Sequence, residues 1–138
     1  MMSNFRKIAI TIVSLPVCFG FLSGDGKKPE GEQKAVYRKI SAKQAKEMMD
    51  SGDPYILLDV RTEAEFAEIR IKGAILITNT EIRNRAGTEL PDKNALIFVY
   101  CRSGGRSSGA AKELVSMGYT NVYDIGGIMN WPYETIRG

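Results

Sequence analysis

The sequence contains no histidine in its 138 residues. That absence excludes every mechanism with a His general base, Ser-His-Asp and Cys-His arrangements included. It also removes most zinc sites, because the two cysteines cannot fill a structural site alone. Charge of one sign is equally scarce. The 19 basic and 16 acidic residues give a formal +3, too mild a balance to point to nucleic acid. No apolar run is long enough for an ordinary membrane span, and no internal repeat is present. At this length a single domain with a real hydrophobic core is expected.

The N-terminus reads as an export signal. Arg6 and Lys7 form a basic start, Ile8 to Leu22 is an apolar run broken by Thr11, Ser14 and Pro16, and Asp25-Gly26-Lys27-Lys28 turns polar. Residues 1–23 are expected to be a signal peptide or a lipoprotein signal. Two readings of Cys18 stay open. Leu15-Pro16-Val17-Cys18 is like a bacterial lipobox, although Val17 departs from the small residue usual before the lipidated cysteine; the other reading is cleavage further on, near Gly24. Under either, Cys101 is the one free thiol of the mature chain and no internal disulfide forms. A lone thiol in an oxidising compartment points to reactivity rather than framework. Without Arg6 and Lys7 the chain has 17 basic residues against 16 acidic, close to neutral. The expected location is the bacterial periplasm or cell envelope, with a lipid anchor under the lipobox reading of Cys18. Residues 24–35, rich in Gly, Lys, Glu and Gln, are expected to be a solvated linker, and 36–138 the domain.

Within the domain, strand and helix signals alternate. Ser41 with Gln44 and Thr62 with Glu65 are capping boxes, the first followed by the stripe Ala45, Met48, Met49, the second opening a helix through Phe66 and Ile69. Short apolar strands are expected at Tyr55–Val60, Gly73–Ile77, Ala95–Tyr100 and Asn121–Asp124, a short helix at Thr80–Arg85, a longer one over Ser108–Met117 stopped by Gly118, and a final helix over Met129–Thr135. This alternation argues an α/β fold with a parallel sheet covered by helices on both faces.

Cys101-Arg102-Ser103-Gly104-Gly105-Arg106-Ser107 follows the apolar strand ending at Tyr100 and precedes the helix beginning at Ser108. Ligands of such sheets sit outside the carboxyl ends of strands. A thiol at that end, in a Gly-rich turn opening a helix, lies in an anion cradle: backbone N–H groups and the positive helix end favour the thiolate. Cys101 is therefore the candidate nucleophile. The backbone of residues 102–107 offers N–H donors, with Gly104 and Gly105 allowing geometries that a side chain blocks. Arg102 suits an oxyanion through its fork of donors, and Arg106 closes the loop or braces it inward. Ser103 and Ser107 offer hydroxyls, Ser107 alternatively as an N-cap. Asp59 reads as structural, accepting hydrogen bonds that fix the loop. Arg61 either reaches the site or pairs with a carboxylate such as Glu65. Trp131 and Tyr133 read as core or pocket wall, and Gly126-Gly127 as a tight turn.

Together these pieces resemble a single-domain rhodanese. The resemblance spans about residues 38–137 and rests on ordered motifs: Leu57-Leu58-Asp59-Val60-Arg61 with Glu63, Glu65 and Phe66; Ile71-Lys72-Gly73-Ala74-Ile75; Val99 to Ser107; Ala110 to Leu114 with Gly118-Tyr119; and Val122 with Gly126-Gly127 and Trp131. With its export signal the chain is similar to small exported rhodaneses of the phage-shock type. The resemblance implies a central five-stranded parallel sheet. It implies a sulfurtransferase in which Cys101 takes a sulfane sulfur from a donor such as thiosulfate, becomes a persulfide, and passes the sulfur to cyanide or a thiol. No metal and no organic cofactor is implied, and the chain is expected to act as a monomer. Where the family often has a His after the second helix, this chain has Glu68-Ile69-Arg70-Ile71, which changes the rim rather than the nucleophile. Two other readings use the same cysteine. A related phosphatase needs Cys-x5-Arg to wrap a phosphate, whereas Cys101 to Arg106 is Cys-x4-Arg, a loop sized for one sulfur, and no aspartate stands out as its general acid. A non-enzymatic persulfide carrier or redox sensor tethered to a partner differs only in lacking turnover.

Overall fold

The computed structural model describes residues 36–138; the expected signal segment, Cys18 and the linker lie outside the described residues. In chain order the elements are β1 (Arg38–Lys39), α1 (Ala42–Asp50), β2 (Ile56–Asp59), α2 (Glu63–Glu68), β3 (Ile69–Ile71), β4 (Ile75–Leu76), α3 (Ile82–Glu89), β5 (Ile97–Cys101), α4 (Gly105–Ser116), β6 (Val122–Gly127), a 3-10 turn (Ile128–Asn130) and β7 (Thr135–Arg137). Five strands form one parallel sheet in the order β1-β6-β5-β2-β4.

β5 is central, and all its residues are buried. Because successive side chains of a strand point to opposite faces, β5 feeds two cores at once. Ile97, Val99 and Cys101 pack with Ile82 and Ala86 of α3 and Ala110, Ala111 and Leu114 of α4. Phe98 and Tyr100 pack on the other face with Ala45 and Met49 of α1, Leu57 and Ile71. Helices therefore cover both faces, and a strand enclosed in this way has to be apolar throughout. Both capping boxes form: the Gln44 N–H donates to Ser41 Oγ at 3.1 Å, and the Glu65 N–H to Thr62 Oγ1 at 3.2 Å.

Five elements differ from the sequence expectation, α3 among them, which starts at Ile82 and runs on to Glu89 rather than spanning Thr80–Arg85. α2 ends at Glu68, one residue before Ile69, because Ile69 and Ile71 alternate with Arg70 and pair antiparallel with β7. The helix expected over Met129–Thr135 is a single 3-10 turn followed by β7. Pro132 explains this, since a residue before proline is driven to extended backbone, and Trp131 has ψ 108°. α4 begins at Gly105 rather than Ser108, so the active-loop residues Arg106 and Ser107 form its first turn. Gly126 and Gly127 are the end of β6, not a free turn. The fifth strand of the sheet is β1, whose two exposed residues carry no apolar signature.

Tyr119, fully buried, ties the end of α3 to the core: its hydroxyl lies 2.8 Å from the Ala86 carbonyl and 2.6 Å from that of Leu90. The Leu90 carbonyl lies just past the helix end, and that of Ala86 also accepts the Leu90 N–H at 2.7 Å. Tyr119→Phe is expected to lower unfolding free energy by about 1–2 kcal/mol, read from the urea midpoint at unchanged slope.

Candidate active site

Cys101 ends β5 and is 1% exposed. The chain then reverses within three residues and enters α4. Gly104 makes the reversal possible with φ +113°, a left-handed conformation that L side chains rarely adopt. That turn aims the Gly104 N–H at the sulfur, 3.0 Å away, and Ser107 Oγ lies 3.5 Å from the sulfur. Burial pushes the thiol up; hydrogen bonds from the Ser107 side chain and from the backbone of Ser107, Gly104 and Ser103 outweigh it, so the Cys101 pKa lies below the ordinary thiol value.

The end of β6 backs the loop. One extra residue enters β6 between the pairings Val99↔Asp124 and Cys101↔Gly127, a bulge that redirects the strand beneath residues 102–104. A Cβ on Gly127 would collide with the Arg102 carbonyl, which is why only glycine fits there. The same carbonyl accepts the Met129 N–H at 3.2 Å.

Charge around the loop is divided by function of position. Arg106 forks onto Glu65 of α2, Nη1 to Oε2 at 2.8 Å and Nη2 to Oε1 at 2.9 Å. The Arg106 guanidinium, the Thr62 N–H and the Thr62 hydroxyl overcome partial burial and hold the Glu65 carboxyl at about 2. One glutamate therefore caps α2 and anchors α4 across the cleft. Arg102 is exposed, and none of the described carboxylates pairs with it. It borders a cleft of ≈290 Å³ beside the loop, whose lining includes Glu65, Glu68 and Met129.

The structure thus brings Cys101, Arg102, Ser103, Gly104, Gly105, Arg106 and Ser107 together, and it corrects three individual roles. Asp59 does not bind the loop. It accepts the Arg61 N–H at 2.9 Å and the Arg61 side chain at 2.9 and 2.6 Å in a buried pair. Arg61 consequently pairs with Asp59 rather than Glu65, donates at 2.5 Å to the Ile69 carbonyl and covers the Tyr100 ring, fixing β2 to β3 and the strand before the cysteine. Ser107 is not the N-cap of α4, which is Gly104; it is a fully buried first-turn residue whose hydroxyl lies 2.8 Å from Asp124 Oδ1. Trp131 and Tyr133 stack edge to face at 5.0 Å, with Trp131 against the α1-side core. Sequence reasoning missed two contributors. Glu65 was visible as a capping residue and as a candidate partner of Arg61, but not as the partner of Arg106, which lies 41 positions away. Asp124 carried one signal, a carboxylate at the carboxyl end of a buried strand.

The rhodanese-like domain family model matches residues 41–133. Thiosulfate sulfurtransferase PspE of Escherichia coli strain K12 is 40% identical over 82 residues, covering 59% of this chain and 78% of that protein. Thiosulfate sulfurtransferase GlpE of Haemophilus influenzae is 38% identical over 96 residues, covering 69% and 88%. Among solved structures, a rhodanese with anions from E. coli superposes with a TM-score of 0.55 at 38% identity, covering 62% of this chain and all of that one. The Alr3790 protein of Anabaena superposes with a TM-score of 0.66 at 27% identity, covering 71% and 91%. The chain belongs to the rhodanese-like family. Within it, the chain is an enzyme of the sulfurtransferase class.

Glu65 sets an acid limit on the loop. Its folded pKa is depressed from 4.5 to about 2, so the stability it contributes is fully present above pH 4.5 and lost as pH falls toward 2. With both side chains partly solvated, screening keeps that contribution to about 1 kcal/mol. Glu65→Gln is expected to remove it, giving a shallower fall of unfolding free energy between pH 5 and pH 2 in chemical denaturation.

Proposed function

We propose that this chain is a thiosulfate sulfurtransferase that carries the transferred sulfur as a persulfide on Cys101. The observation that carries the reading is the Gly104 N–H aimed at a buried sulfur inside a loop with one unpaired, exposed arginine. The Cys101 thiolate attacks the outer, sulfane sulfur of thiosulfate. A new S–S bond forms at Cys101, the S–S bond of thiosulfate breaks, and sulfite leaves with the electron pair. An acceptor, cyanide or a thiolate, then attacks the terminal sulfur of the persulfide; the cysteine leaves as thiolate, and thiocyanate or a new persulfide departs. No histidine is needed, because the nucleophile is held as an anion by backbone and hydroxyl donors rather than deprotonated by a base.

Division of labour between the arginines follows from their pairing. Arg106 is neutralised by Glu65 and holds α4 against α2. Arg102, unpaired beside the cleft, meets the sulfonate oxygens of thiosulfate and stabilises charge on the departing sulfite. The domain acts as a monomer outside the cytoplasm, carried there by the N-terminal signal, with Cys18 as the point of attachment if it is lipidated. Among the described residues no helix is long and apolar enough to cross a membrane.

Cys101→Ser is expected to abolish thiocyanate formation with the circular dichroism spectrum unchanged, since the exchange is nearly isosteric. Intact mass of the unsubstituted protein should show one sulfur gained from thiosulfate and removed by cyanide. No gain with any sulfane donor would exclude the persulfide. Arg102→Ala is expected to raise KM for thiosulfate about tenfold, the loss of one charge-assisted hydrogen bond, while sparing a neutral persulfide donor. Equal losses with both donors would assign Arg102 to loop shape instead of charge recognition.

A further inference from the structure

Ser107 Oγ has one proton and four electron-rich neighbours. Asp124 Oδ1 is at 2.8 Å, the Gly104 carbonyl at 3.0 Å, the Gly126 carbonyl at 3.4 Å and Cys101 Sγ at 3.5 Å. Two are carbonyls, which only accept, the third accepts as a carboxylate, and the sulfur donates only while it is a thiol. Asp124 is fully buried; its Oδ1 also accepts the Gly126 N–H at 2.9 Å, and its Oδ2 has no hydrogen-bond partner. Among the described residues no lysine or arginine nitrogen pairs with it. A buried carboxylate with so few donors is a strong acceptor for the one hydroxyl proton within reach.

Two arrangements satisfy this network. With Cys101 a thiol, S–H donates to Ser107 Oγ and the Ser107 O–H donates to Asp124. With Cys101 a thiolate or persulfide, the S–H is gone, and a Ser107 oxygen still turned to Asp124 would present a lone pair to the anion. The hydroxyl has to turn its proton to the sulfur, leaving Asp124 Oδ1 with the Gly126 N–H alone.

We propose that Asp124 is a positioning residue that competes with Cys101 for the Ser107 hydroxyl proton, so that Ser107 switches between carboxylate and sulfur as the sulfur gains and loses charge. Asp124 thereby restrains the thiolate and holds the unloaded cysteine closer to the thiol than the loop alone would. The inference rests on Cys101 being the nucleophile, and its test uses alkylation, which requires no sulfur donor or acceptor.

Other charged groups near the sulfur are Arg102 and Arg106 of its own loop, Glu65 of α2 paired to Arg106, and the Asp59–Arg61 pair at the end of β2. Beside Asp124, β1 places Lys39 opposite it in register, and the Tyr37 hydroxyl meets Ser108 of α4. All of these are common to the variants compared, so they cancel in the comparison.

In the full chain carrying Cys18→Ala, the rate of Cys101 alkylation by iodoacetamide is measured against pH. Ser107→Ala is expected to raise the midpoint. Asp124→Asn, which keeps an acceptor for Gly126 and weakens that for Ser107, is expected to lower it by about one pH unit, a tenfold gain in rate below the midpoint. In the Ser107→Ala background the same substitution is expected to have less than half that effect. Equal shifts in both backgrounds would mean that Asp124 acts on the sulfur through space, and an upward or absent shift with Ser107 present would also overturn the proposal. The infrared S–H stretch at a pH where Cys101 is a thiol needs no change at Asp124. It is expected at lower frequency with Ser107 present than in Ser107→Ala, and an unshifted band would show that the thiol does not donate to Ser107.

Discussion

The hydrogen bond from the Gly104 amide to Cys101 Sγ, 3.0 Å long, sets the terms for the rest of the site. A buried thiolate is stable only where donors face it, and this chain has no imidazolium to do so. The donors must then come from the backbone, so the backbone must turn sharply within three residues of the cysteine. Gly104 supplies the left-handed turn, Gly127 leaves room for the Arg102 carbonyl, and the bulge in β6 brings that glycine to the right place. The cysteine itself can be buried because β5 lies at the centre of the sheet, closed on both faces by helices.

Around that bond the ionisable groups separate into those paired within the fold and one left unpaired at the surface. The Asp59–Arg61 pair and the Glu65–Arg106 pair each use up an arginine that the sequence alone places near the active loop. Their removal from the solvent-facing side leaves Arg102 as the unpaired cation of the loop.

Much of the fold is legible from local signals because local physics decides it. The capping boxes at Ser41 and Thr62 satisfy helix-end donors within four residues, and the apolar run before Cys101 is what burial on both faces requires. Elements whose cause lies elsewhere in the chain are not legible. β1 is a strand because β6 offers it a ladder, not because Arg38 and Lys39 prefer one. Ile69 leaves the helix because β7 pairs with it from more than sixty residues away. The failed C-terminal helix is different: its cause, Pro132 after Trp131, is local and readable in the sequence.

Residue type and close spacing were enough to single out Cys101, the glycine turn after it and the α/β alternation, and to exclude histidine chemistry. Which partner each charged or hydroxyl group takes was settled by the packing of distant elements. Arg61 turns to Asp59, Arg106 to Glu65, and Ser107 to both Cys101 and Asp124, leaving Arg102 unpaired. Those choices follow from which strand and helix ends meet in space, and hydrogen-bond energies that fall off within an ångström make them invisible at the level of sequence.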